Sequence, residues 1–142
     1  MEATGVASLS GRLVDELSGG QRQRVWVAMV LAQQTPLMLL DEPTTFLDIA
    51  HQIELLELFR ELNLDKGHTL VAVLHDLNHA SRYADHIIAM KDGVVVAEGA
   101  PAAVITESLV EDVFGMACRI IDDPPVTHTP LVVPLGRPRL PN

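Results

Sequence analysis

Hydrophobic positions along the chain fall into short aliphatic runs separated by longer amphipathic stretches, the alternation expected of an α/β protein. The first run, Leu37-Met38-Leu39-Leu40, is unbroken and ends in Asp41-Glu42-Pro43. An unbroken aliphatic run predicts a strand buried on both faces, and Pro43 would end its ladder. A second run, Thr69 to Leu74, predicts another buried strand and ends in His75-Asp76. Between them Ile49, Ile53, Leu56, Phe59 and Leu62 share one stripe, which predicts a long helix packed on the core with Asp48 as its N-cap. Asn63 to His68 then reads as a polar turn. Upstream, Ser18 is a good N-cap for a helix over Gln21 to Gln33, with Val25, Ala28, Met29 and Ala32 inward and Trp26 in a packing role.

The rest of the chain reads in smaller pieces. Asp76 can cap a short helix to about Tyr83, and His86–Met90 and Val94–Glu98 flank Lys91-Asp92-Gly93, a hairpin pattern. Gly99-Ala100-Pro101 opens a helical stretch, Thr106 caps another reaching about Phe114, and Cys118–Ile121 and Leu131–Val133 read as small strands. Met1 to Glu16 gives a weak helical pattern and a polar connection, and the proline-rich Arg137–Asn142 is expected to be loose. The expected segments are 1–36, 37–98 and 99–142.

Composition narrows the classes. With 142 residues, 48% of them hydrophobic, the chain can form one globular domain at most. A formal charge of −9 argues against a nucleic-acid partner, which needs basic patches. No apolar stretch reaches membrane-span length and the start has no secretory pattern, so a cytoplasmic location is expected. Cys118 is the lone cysteine and reads as a small buried residue.

Candidate chemistry sits at the run ends. Asp41 and Glu42 are adjacent, so on a strand their side chains diverge; one can face a metal and phosphates while the other addresses a water. Ser18, Gly19 and Gly20 at a helix start leave N–H groups free for an anion. His75 and His79 stand four apart and suggest a zinc site, but position 76 is Asp and no third ligand is evident. His51, His68, His86 and His128 read as surface or structural residues.

Leu17-Ser18-Gly19-Gly20-Gln21, Leu39-Leu40-Asp41-Glu42-Pro43-Thr44, Phe46-Leu47-Asp48 and His75-Asp76 resemble, in order and spacing, the signature, Walker B, D-loop and switch-histidine motifs of ABC transporter ATPases. Val14-Asp15-Glu16, Arg22-Gln23-Arg24-Val25-Trp26 and Thr45 to Gln52 are similar to the subgroup that powers import of iron-siderophores. Thr129 to Pro134 is similar to the end of that subgroup, so a complete C-terminus is expected. The resemblance implies an α/β, partial P-loop NTPase fold with a mainly parallel sheet flanked by helices. It implies ATP and Mg²⁺ as cofactors, with Asp41 helping to hold Mg²⁺, Glu42 polarising the attacking water and His75 contacting the γ-phosphate. Leu17, Ser18, Gly19, Gly20 and Gln21 would serve ATP held by the opposite subunit of a head-to-tail dimer, with Asp48 at that dimer contact. Transmembrane permease subunits are the other implied partners, placing the chain at the inner face of the cell membrane.

One departure changes the expectation. The pattern G-x-x-x-x-G-K-[ST] does not occur, since Lys66 follows Asp65 and Lys91 follows Met90. With no phosphate loop and no Walker A strand, the fragment alone is expected to be inactive and to need an N-terminal complement. The alternative is a non-catalytic remnant.

Overall fold

A computed structural model describes residues 4–122 and 128–136. Arg137–Asn142 and the first three residues of the leader lie outside the described residues. Internal contacts divide the chain into two units, Met1–His75 and Asp76–Asn142.

In the first unit, short 3₁₀ turns at Ala7–Leu9 and Val14–Glu16 precede α1 (Gly19–Ala32), β1 (Leu37–Leu40), α2 (Ile49–Lys66) and β2 (Thr69–Ala72). Strands β1 and β2 pair in parallel, Leu37 opposite Thr69 through Leu40 opposite Ala72, and the Val73 N–H donates to the Leu40 carbonyl at 2.9 Å. Asp41-Glu42 and His75 therefore leave the sheet at the same end. The aliphatic face of α2 carries Leu55, Leu56, Phe59 and Leu62 into the core. Ile49, expected on that stripe, is exposed in the first turn. The expected polar turn at Asn63 is instead the last turn of α2: Gly67 takes the left-handed conformation (φ 67°), and the N–H groups of Gly67 and His68 close onto the Asn63 and Leu62 carbonyls.

The phase of α1 also differs from expectation. Gln23 and Val27 are buried, whereas Met29 and Ala32 are exposed and Trp26 is half exposed. Val25 through Ala32 are all apolar, so periodicity alone offers more than one inward stripe. The two strands are buried on one face rather than two: Met38 and Leu40 point into the core, while Leu37, Leu39, Val71 and Val73 are exposed.

The second unit holds α3 (Leu77–Tyr83), β3 (Ile87–Lys91), β4 (Val94–Gly99), α4 (Pro101–Val104), α5 (Glu107–Phe114), β5 (Cys118–Asp122) and β6 (Pro130–Pro134). Its core gathers Ile105, Val110, Cys118 and Val132, with Leu77, Ile87, Met116 and Ile120 packed against it. Asp92 and Gly93, both at positive φ, make the two-residue turn between β3 and β4, whose register shifts at Ala89/Met90. Asn78 on α3 works as a partner strand for β6, its amide donating to the Val132 carbonyl (3.2 Å) and accepting from the Val132 N–H (2.7 Å). The buried Ser81 hydroxyl donates to the Pro130 carbonyl at 2.6 Å.

The expectation of a mainly parallel sheet is corrected. Among the described residues β1–β2 is the parallel pair, while β3–β4 and β5–β6 are antiparallel. A two-residue turn such as Asp92-Gly93 can only return the chain antiparallel, whereas the long crossover through α2 permits the parallel arrangement.

Candidate nucleotide-processing site

Two groups of the candidate residues are assembled in the first unit. The first lies at the carboxyl end of the parallel strands. There His75 Nε2 is 2.7 Å from one Glu42 oxygen, and the Thr45 hydroxyl donates to the other at 3.1 Å. Both Glu42 oxygens are thus engaged and the carboxylate plane is fixed. His75, and then Thr45, hold the Glu42 carboxyl below its ordinary range. Glu42 takes a left-handed backbone (φ 46°), unusual for a residue with a long side chain, and Pro43 behind it is fully buried. Asp41, one residue earlier, is exposed at the strand end.

The second group surrounds a cavity of about 410 Å³ between the start of α1 and the loop before α2. Ser18 caps α1, its hydroxyl accepting from the Gln21 N–H at 3.2 Å, while the Gln21 side chain accepts from the Ser18 N–H at 3.1 Å. That reciprocal box fixes Gly19 and Gly20 at the cavity wall. A Cβ on Gly19 would come within 3.3 Å of Phe46 Cβ, and one on Gly20 within 3.3 Å of Leu47 Cδ2. A side chain at either position would thus press on the loop, which would have to give by a few tenths of an ångström. Leu17 belongs to the same motif but is buried and does not line the cavity; its carbonyl accepts from the Arg22 guanidinium at 3.2 Å.

Opposite the helix start, Asp48 caps α2 by accepting from the His51 N–H at 3.0 Å, and the same oxygen meets His51 Nδ1 at 2.8 Å. These bonds, the backbone one first, hold the Asp48 carboxyl below its ordinary value. Gln52 donates to the Leu47 carbonyl at 2.9 Å and the Thr44 carbonyl at 3.3 Å, which ties the loop to α2. Phe46 sits in that loop with φ 68° and an exposed ring.

Sequence reasoning missed Thr45, His51, Gln52 and Arg24, which also lines the cavity. The available signals were spacings: Thr45 is three residues after Glu42, and His51 three after its cap Asp48. Among the described residues no group of three or more His, Cys, Asp or Glu could hold a metal ion, and the zinc alternative gains no support. Cys118 lies in the second unit, where burial pushes its thiol up and away from nucleophilic use. Among the described residues no helix is long and apolar enough to cross a membrane.

The ABC transporter family model matches residues 1–45. The ferric enterobactin transport ATP-binding protein of Escherichia coli (strain K12) is 64% identical over 137 residues, which is 96% of this chain and 50% of that protein. A siderophore transport system ATP-binding protein of Bacillus subtilis (strain 168) is 55% identical over 139 residues, 98% of this chain and 50% of that protein. The structure superposes on a metal-chelate type ABC transporter in an inward-facing conformation with a TM-score of 0.84 and 26% identity, covering 95% of this chain and 54% of the other. It also superposes on a dimeric ATP-binding cassette bound to ADP and Pi, with a TM-score of 0.65 and 37% identity over 70% of this chain and 44% of the other. The chain spans about half the length of the curated relatives it matches.

Proposed function

We propose that this chain, homologous to the C-terminal half of ABC transporter ATP-binding proteins of the iron-chelate type, contributes Mg-ATP hydrolysis to the uptake of an iron-siderophore. The observation that carries this reading is the Glu42–His75 contact at 2.7 Å, at the carboxyl end of two parallel strands, where open α/β sheets hold ligands. Glu42 is ionised above its lowered pKa, so its carboxylate can accept a proton from an attacking water, and Thr45 and His75 hold it in one orientation. His75, largely exposed, would meet the terminal phosphate with the ring edge that does not face Glu42.

The donor set fits Mg²⁺ better than a resident metal. Asp41 supplies one hard oxygen ligand, and Mg²⁺ is commonly held by one or two carboxylates together with substrate phosphates. Bound that way it would neutralise developing charge on the transferred phosphoryl group. The cavity lies at the N-terminus of α1, where the Ser18 and Gln21 N–H groups are taken by the reciprocal cap and Gly19 and Gly20 form the wall, a setting that suits a phosphate carried by a second ATPase subunit. Asp48 stands at the same cavity and would meet that subunit. Transmembrane permease subunits would hold the assembly at the inner face of the cell membrane. No step here requires nucleic acid.

These 142 residues contain no phosphate-loop pattern, so the chain by itself should neither bind nor hydrolyse ATP measurably. The test is to express it with the half of the Escherichia coli relative that it does not match. Mg-dependent hydrolysis that appears only in the pair and is abolished by Glu42→Gln supports the proposal. A pair that assembles but stays inactive favours a non-catalytic remnant.

A further inference from the structure

One loop, residues 42–48, carries members of both candidate groups. Thr45 holds a Glu42 oxygen, while Phe46, Leu47 and Asp48 wall the cavity opposite Gly19 and Gly20. The loop passes through two left-handed backbones without glycine, at Glu42 (φ 46°) and Phe46 (φ 68°), and such a conformation persists only where surrounding contacts enforce it. Inside the loop the backbone supplies two turn bonds: the Thr45 N–H donates to the Glu42 carbonyl at 3.1 Å and the Leu47 N–H to the Thr44 carbonyl at 3.3 Å. From α2, the Gln52 amide nitrogen donates to the Leu47 carbonyl at 2.9 Å and to the Thr44 carbonyl at 3.3 Å, one hydrogen for each. Those two carbonyls bracket Thr45 and Phe46. Gln52 itself does not line the cavity, and the Glu42 oxygens are taken by His75 and Thr45.

We infer that Gln52 is a positioning residue for the proposed hydrolysis, clamping the Thr45-Phe46 turn from both sides so that Glu42 and the glycine wall are set as one unit. With the clamp closed, the Thr45 hydroxyl stands within reach of Glu42, and the Phe46 backbone closes on Gly20. Without it, two part-buried carbonyls lose their side-chain donor and the left-handed Phe46 loses the bond on either side of it. Thr45 then shifts, and the Glu42 carboxylate gains orientations that do not face an attacking water. The reaction served rests on the proposed function; the clamp rests on the two hydrogen bonds.

The test variant is Gln52→Met, which keeps the length of the side chain and removes its donor. Its control is Asn63→Ala, which removes a side-chain donor to the His68 carbonyl (3.0 Å) at the other end of α2. In the full chain, NMR reads the amide shifts of Thr45, Gly19 and Gly20 and the hydrogen exchange of the Thr45 and Leu47 N–H groups. Gln52→Met should move all three shifts and speed exchange at Thr45 and Leu47 on the order of tenfold, with the amides of Leu55, Leu56 and Phe59 still protected. Asn63→Ala should leave the Thr45, Leu47 and glycine signals in place. In the pair with the unmatched half of the Escherichia coli relative, Gln52→Met should lower kcat on the order of tenfold or more at unchanged KM for Mg-ATP, and Asn63→Ala should keep both. Unmoved glycine amides, an unchanged kcat, or a raised KM with kcat retained would overturn the inference. So would equal losses in the two variants, the mark of a general loss of stability. If the parent pair hydrolyses no ATP, the proposed function fails by itself. The NMR result then decides the clamp: movement of Thr45 and both glycines upholds it, and their silence overturns it.

Discussion

Asp48 takes two hydrogen bonds from a single residue on a single oxygen, and that economy makes its behaviour with pH foreseeable. Its carboxyl is held below the ordinary aspartate value, so its contribution to stability is fully present above that value and is lost as pH falls through the lowered one. His51→Ala removes the ring donor and leaves the backbone donor. The Asp48 pKa should then move part of the way back up, as a carbon-detected NMR titration of the carboxyl would read. Asp48→Ala should lower the urea midpoint by loss of the α2 cap, and Asp48→Asn should keep most of it. At this scale the caps were legible: Ser18, Asp48, Asp76 and Thr106 all accept the N–H three residues on, as their residue types and the following helical patterns suggest. Thr45 and Gln52 were not legible, because their partners exist only once the chain from Glu42 to Asp48 has folded through two left-handed residues that no periodicity announces.

Among the elements, β6 is tied to α3 by a helix side chain. Asn78→Ala would leave the Val132 N–H and C=O without their amide partner, a loss of about 1–3 kcal/mol for each group that stays dry. Asn78→Asp keeps an acceptor for the N–H and should lose less; denaturant unfolding of the two variants separates the cases. Val110→Ala, at a position with no solvent exposure, should cost about 2 kcal/mol by the same assay. Strand and helix positions were largely legible from the alternation of aliphatic runs and amphipathic stretches. The orientation of α1 was not, since eight consecutive apolar residues give no phase. The one-sided burial of β1 was also hidden, because an aliphatic run records what a strand is suited to and not what lies over it.

For the whole molecule, net charge and the exposed aliphatic face act together. The charge of −9 keeps copies apart at neutral pH and vanishes near the sequence pI of 4.9, where apolar faces can meet. Light scattering across pH 4 to 8 should therefore peak close to that pI, and Leu39→Lys should reduce the peak. The fold class and the resemblance to ABC transporter ATPases were legible from four motifs in order. The division at His75–Asp76 was not, because no proline, glycine or charge run marks it. Glu42 and Phe46 hold left-handed backbones that glycine or asparagine would adopt more easily, so a gene copy released from selection could gain stability by losing them. Positions 42 and 46 are thus where decay would register early, and sequencing them across close strains would date any loss of use.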